Sequence, residues 1–380
     1  MTALTHRERV IKALNHQEPD RVPRDLGGAG PANINITAYA RLVEHLGFQE
    51  QAGEVRSGRP TLTAAISEAI LRRFDIDCRP LRLGPPEVSP EVVLDEHSYR
   101  DEWGVVWVRP EGGHYINTAG PFQAKEPALS DLEKYAWPDP RDSGRIKGLK
   151  ERAVKLREET DFAIVLSLPF SIVRECQRVR GFAEWMEDLL INPALAEAVM
   201  EHTLMVAAGT AEFVLEEVGE YVDVVLFPDD MGFQDRPYVR PELYRQKIKP
   251  YHRRLVEAIK SKTKAKVLMH SDGSVYGIIP DMIDIGVDAL NPVQVSANDM
   301  GSQRLKAEFG GSLSFWGAID THWALPSGTP EDVRNEVKTR MRDLAPGGGY
   351  VMASVHNIQA DVPPENIVAM FDSGLEYGRY

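Results

Sequence analysis

His270 and Asp272 stand two residues apart in His270-Ser271-Asp272-Gly273, at the polar end of a short apolar run. Alternate residues of an extended chain point the same way, so this imidazole and carboxylate can face one side together. With His356, which follows another such run, they make three ligands of the types that catalytic zinc takes, with one position left open. The same three side chains can equally be hydrogen-bonded groups that hold no metal. Asp229 and Asp230 follow a third run and, as neighbours, cannot both face inward. Asp230 is expected to act as a general acid, base or acceptor, and Asp229 to bind substrate or cap the loop. Asn291 and Gln294, in Asn291-Pro292-Val293-Gln294, are amides able to hold a substrate carboxylate, steady an imidazole or meet a corrin edge. His322, in Asp320-Thr321-His322, is a substrate ligand or a loop residue. No activating motif surrounds Cys78 or Cys176, so both are expected to be structural.

These residues meet only if the runs before them lie side by side. The runs are Phe162–Leu168, Val222–Phe227, Lys266–Met269, Val287–Leu290, Leu313–Ala318 and Tyr350–Ser354. Short runs that are polar only at their ends are typical of strands covered on both faces. Helices between them open at Asn192-Pro193, Arg240-Pro241, Thr329-Pro330 and Pro363-Pro364. Two weaker units, with strands at Arg21–Leu26 and Cys78–Leu83, bring the count to eight and predict a (β/α)8 TIM barrel. In that fold the loops after the strands share one mouth, which gathers the polar residues named above. No Gly-x-Gly-x-x-Gly follows any run, which argues against a dinucleotide fold. Residues 91–122 alternate around Pro110-Glu111-Gly112-Gly113 and predict a β-hairpin inserted after the second strand. Its Trp103, Trp107 and Tyr115, with Phe122, either line an aromatic pocket or pack the hairpin down.

The 380 residues, 43% hydrophobic and 27% charged, suit one folded barrel domain spanning 1–380. A net charge of −13 disfavours non-specific binding to nucleic acid or to an anionic membrane. The stretch Ala194–Leu215 is interrupted by Glu197, Glu201, His202 and Glu212, which argues against a membrane span. The opening residues carry His6, Arg7, Glu8, Arg9 and Lys12 in place of a signal's apolar core, and two cysteines suit a reducing cytoplasm. A cytoplasmic location is expected.

Several motifs resemble the uroporphyrinogen decarboxylase-like superfamily. They are Thr5-His6-Arg7-Glu8-Arg9-Val10, Glu18-Pro19-Asp20-Arg21-Val22-Pro23, His270-Ser271-Asp272-Gly273, Asn291-Pro292-Val293-Gln294 and Val362-Pro363-Pro364-Glu365-Asn366-Ile367. The resemblance implies a (β/α)8 barrel over nearly the whole chain, and a homodimer. Decarboxylases of that family carry Gln-Ala-Gly-Arg after the first strand, where this chain reads Asp25-Leu26-Gly27-Gly28-Ala29-Gly30. The other branch, corrinoid-dependent methyltransferases, holds zinc through His-x-Cys after the fifth strand and Cys after the eighth. Laid on that pattern, His270 matches the histidine, and Asp272 and His356 stand where the cysteines would be. Imidazole and carboxylate leave zinc harder than thiolates do, which suits an ether oxygen better than a thiol. The resemblance therefore implies an O-demethylating methyltransferase. It would take methyl from a small methoxylated donor and pass it to cobalamin on a partner corrinoid protein. A metal-independent decarboxylase or lyase, and a ligand-binding protein, are the competing readings.

Overall fold

The computed structural model describes residues 4–48, 62–123 and 126–380. Strand β1 covers Cys78–Leu81, and four short strands follow: β2 (Val92–Val93), β3 (Ser98–Arg100), β4 (Val106–Val108) and β5 (Ile116–Ala119). Six more complete the set: β6 (Ala163–Ser167), β7 (Val224–Pro228), β8 (Lys266–His270), β9 (Ala289–Asn291), β10 (Ser314–Ile319) and β11 (Tyr350–Ser354). β1 and β6 to β11 form one parallel sheet of seven strands, in the order β1-β6-β7-β8-β9-β10-β11.

The apolar runs are explained by burial on both faces. Ala163, Val165, Val224, Leu226, Leu268, Ala289, Trp316, Val351 and Ala353 pack together inside the curled sheet. Their alternates, including Ile164, Leu166, Val225, Phe227, Met269 and Leu290, pack into the larger core. Val10 and Leu14 of the helix His6–Leu14 join the inner cluster. The sheet's two edges are linked by residues 23–25. The Asp25 amide donates to the Met352 carbonyl of β11 (2.9 Å), and the Asp77 amide, just before β1, donates to the Arg24 carbonyl (3.0 Å). The expected first strand, Arg21–Leu26, is thus reduced to two isolated bridges, Arg24 with Met352 and Arg21 with Arg379. Pro23 has no amide to donate, which limits the ladder there.

Residues 91–122, expected as one hairpin, contain the separate antiparallel sheet β2-β3-β4-β5. The helices start where the sequence marks them. Thr329 and Asp332 form a reciprocal cap before Pro330–Leu344, and Pro364–Tyr377 begins on its proline. Pro241–Leu243 passes through a wide turn at Tyr244–Ile248 before Lys249–Lys262. Pro250 lacks the amide that an ordinary turn would use there. Pro193–Val218 is long and apolar enough to cross a membrane by length and composition, where its charges argued otherwise. In the fold its Leu195, Val199, Leu204 and Val214 are buried, and it packs along Lys249–Lys262.

Candidate active site and metal centre

The inward alternation of the strands decides which side chains reach the mouth. Ser167 follows Val165, Pro228 follows Leu226, His270 follows Leu268 and Asn291 follows Ala289. Register sets Pro228 beside His270 and His270 beside Asn291. The Asn291 side chain gives its amide to the Trp316 carbonyl (3.2 Å), so its Oδ1 faces His270 and accepts from Nδ1 at 2.7 Å. His270 therefore offers Nε2 to the cavity. Of the roles open to Asn291, among them substrate contact and the steadying of an imidazole, the fully buried side chain takes the second.

His270 Nε2 lies 3.6 Å from Asp272 Oδ2 and 3.7 Å from Asp230 Oδ1. His356 Nε2 lies 3.8 Å from the same Asp272 oxygen. One donor atom from each of His270, Asp272 and His356 falls within 4.8 Å of the others. Bonds of about 2.0–2.1 Å to a tetrahedral ion put its donors roughly 3.4 Å apart, within a few tenths of an ångström of both Asp272 contacts. Asp272 Oδ1 is buried and has no hydrogen-bond partner among the described residues. Burial works to lower the His270 pKa, but Asp272, Asp230 and the Asn291 acceptor outweigh it and lift it to about 9. Burial also opposes ionisation of Asp272, yet His270, with His356 and His322, holds that carboxyl below its ordinary range. For His356 burial wins over the pull of Asp272, and its pKa is lowered. Two imidazoles and the Asp272 carboxylate therefore converge, with Asp230 beside them.

The loop Ser271–Gly273 holds this geometry. The Asp272 amide donates to Asp230 Oδ1 (3.0 Å), and the Gly273 amide donates to Gln294 Oε1 (2.7 Å). Gly273 has φ +85° and packs against the Gly232 backbone, where a Cβ would meet Gly232 O at 2.3 Å. Gln294 also donates to Gln234 Oε1 (2.8 Å), so it braces the loop. Gln294, Asp272, His356 and His322 border a hollow of about 300 Å³, with His322 exposed at its rim.

Asp229 does not face a substrate. It is fully buried, and the Ile172 (3.0 Å), Val173 (2.9 Å) and Arg174 (2.8 Å) amides donate to it at the start of the helix Val173–Arg180. His252 Nε2 donates to the same carboxylate at 2.8 Å. Of the Asp pair, only Asp230 reaches the cavity.

That cavity, about 550 Å³, runs past His270, His356 and Asp230 to Ser167, Gly28, Gly30 and four arginines: Arg82, Arg145, Arg174 and Arg178. Sequence reasoning passed over the arginines. The signal was present: Arg82 follows β1 directly, and Arg174 and Arg178 lie four apart on the helix after β6. No phenylalanine, tyrosine or tryptophan is among the described residues lining the cavity. Trp103, Trp107 and Phe122 are buried, with Trp103 edge-on to Phe170 (5.1 Å) and Phe122 edge-on to Tyr135 (4.9 Å). They pack the small sheet down. Cys78 and Cys176 are free and buried, and burial raises both thiols well above the ordinary range.

A curled parallel sheet with ionisable groups gathered beyond its strand ends is the layout of a βα-barrel-type enzyme. The chain belongs to the uroporphyrinogen decarboxylase (URO-D) family, whose model matches residues 114–377. Relatives include a methylated-thiol–coenzyme M methyltransferase of Methanosarcina mazei, 24% identical over 250 residues. That match covers 64% of this chain and 62% of the relative's length. A uroporphyrinogen decarboxylase of Alkalilimnicola ehrlichii is 23% identical over 380 residues, covering 96% of this chain and 93% of that protein. Among solved structures, a methyltransferase from Methanosarcina mazei shares the fold, with a TM-score of 0.68 at 19% identity. It covers 98% of this chain and 99% of its own. The chain is thus similar to enzymes of both kinds, and is itself an enzyme of this family.

Proposed function

We propose that this enzyme is a methyltransferase that demethylates a methoxylated compound, aromatic in the first instance, and passes the methyl group to a corrinoid on a partner protein. The observation that carries the reading is the cluster of His270, Asp272 and His356 at the cavity wall, with Asp272 Oδ1 buried and unpartnered. Two imidazoles and a carboxylate fit a zinc ion, and the lone oxygen is a donor without another use. Bound there, zinc supplies a Lewis acid for an ether oxygen, harder than one held by thiolates.

The remaining work falls to the chain. Asn291 fixes the tautomer and orientation of His270. Asp230, anchored by the Asp272 amide, faces the cavity and handles the proton of the departing oxygen. In such a transfer the methyl carbon would leave without the bonding pair, and the partner's reduced corrinoid would supply the pair for the new bond. The oxygen would keep its own pair and take a proton held by Asp230. Methanosarcina relatives that are methyltransferases support this reading.

Metal analysis and a methyl-transfer assay test it together. Stoichiometric zinc, and methylcobalt with free phenol from cobalt(I) corrinoid and a methoxylated aromatic, are expected. Failure of aromatic ethers, aliphatic ethers and methylated amines alike, with the cobalt reduced, rejects it. A second reading is a metal-independent decarboxylase or lyase, favoured by the arginines along the cavity. Repeated absence of metal from active protein selects that one.

A further inference from the structure

Three of the four cavity arginines have carboxylate partners. Arg145 pairs with Glu102, while Arg174 (2.5 Å) and Arg178 (3.0 Å) share the buried Glu175. Asp229 and Asp230 also act on Arg174, and Asp101 on Arg178, so both of these guanidinium groups have acidic neighbours besides Glu175. Arg82 is the fourth. It lines the same cavity, is half-buried, and its guanidinium has no hydrogen bond or ion pair among the described residues. Its main chain is held, since its carbonyl accepts from Arg152 Nη2 at 3.0 Å. Burial lowers its pKa, and no nearby carboxylate offsets that. A partly desolvated arginine without a counter-charge is unusual, because buried charges are ordinarily paired. Its planar donor fork matches an oxyanion.

We propose that Arg82, supported by Arg174 and Arg178, forms an oxyanion pocket that selects substrates bearing a carboxylate or sulfonate. This rests on the demethylase reading for the reaction and deepens it by naming the substrate class. β1, which carries Arg82, lies three strand positions from β8, which carries His270. At ~4.8 Å per strand that is roughly 14 Å along the sheet. An inward-reaching arginine and a substrate one ring long together span that distance. Leu81, Leu83, Leu168 and Leu226 supply apolar lining for the body of such a molecule.

The test is calorimetric binding to the whole chain, without corrinoid, so it is separate from turnover. The probes are para-methoxybenzoate and para-methoxybenzenesulfonate, against neutral para-methoxybenzamide and para-methoxybenzenesulfonamide. The anions are expected to bind more tightly than their neutral counterparts. Arg82→Gln should weaken anion binding on the order of tenfold to hundredfold, the worth of a charged hydrogen bond. Arg82→Lys should restore part of the loss, and neither variant should move the binding of the amides. Because Arg82 lacks a partner, Arg82→Gln is expected to melt no lower than the parent. No anion binding more tightly than its amide, or Arg82→Gln binding anions as tightly as the parent, overturns the proposal. Arg82-dependent anion binding followed by carbon dioxide release in place of methyl transfer rejects only the demethylase reading, and the pocket stands.

Discussion

Asp230 and Asp229 are adjacent in sequence and opposite in role. Asp230 borders the cavity within 3.7 Å of His270, while Asp229 is closed off under a helix start. If Asp230 manages the proton of the leaving oxygen, Asp230→Asn should lower kcat by at least about tenfold while KM stays near the parent value. Steady-state kinetics decide this; a raised KM with kcat unchanged makes Asp230 a substrate anchor only. The metal-type cluster was legible because His270 and Asp272 share an alternation and His356 closes a different strand. The roles of Asn291 and Gln294 were not. An amide in a loop looks the same whether it meets substrate or holds a neighbour, and only the Trp316 carbonyl and the Gly273 amide reveal which. The arginines escaped for a different reason. Arg82 lies just past β1, and Arg174 and Arg178 on the helix after β6, away from the later strand ends where the histidines and carboxylates gather.

Among the elements, the helix Val173–Arg180 depends on a strand it does not follow directly. Its first amides are met by Asp229 from the end of β7, and His252 of Lys249–Lys262 completes the carboxylate's shell. Burial opposes the charge on Asp229, but His252 and the amides keep its carboxyl below the ordinary range. Asp229→Ala should therefore destabilise by about 3–5 kcal/mol, the cost of leaving buried partners unpaired. Denaturant unfolding measures it; unchanged stability with a raised KM would return Asp229 to the substrate. The six strands after residue 160 were readable because both faces of each are buried, which writes an apolar run into the chain. Arg21–Leu26 was readable as a segment that joins the sheet but not as one too short to be a strand. The small sheet was underestimated since β2 has only two residues, too few to show alternation.

At the scale of the molecule, the end of the sheet opposite the mouth is held by charge. Asp77, just before β1, accepts from Arg9 of the helix His6–Leu14 (2.7 Å) and from Arg21 (2.7 Å), with His6 at 3.0 Å. Its buried carboxylate also takes the Arg24 amide at 2.8 Å, so the first helix, the edge-bridging segment and β1 are fastened at one point. Burial works against that charge, but His6, Arg21 and Arg9 hold the Asp77 carboxyl far below its ordinary value. A depressed carboxyl pKa contributes stability above the unfolded value of about 3.9, and that contribution is lost as pH falls toward the folded one. Stability should therefore drop on acidification below about pH 5, with Asp77→Asn less stable at neutral pH and flatter in its acid response. Unfolding midpoints across that range check the slope, and parallel curves for the two proteins would refute it. The buried thiols carry a practical consequence. Since Cys78 and Cys176 are both covered and disinclined to ionise, a cysteine introduced on the surface becomes the single readily labelled one. A fluorophore on the exposed Trp323 position, beside the mouth loop of His322, would then report in real time on whether the proposed corrinoid protein docks there, without first stripping the native cysteines.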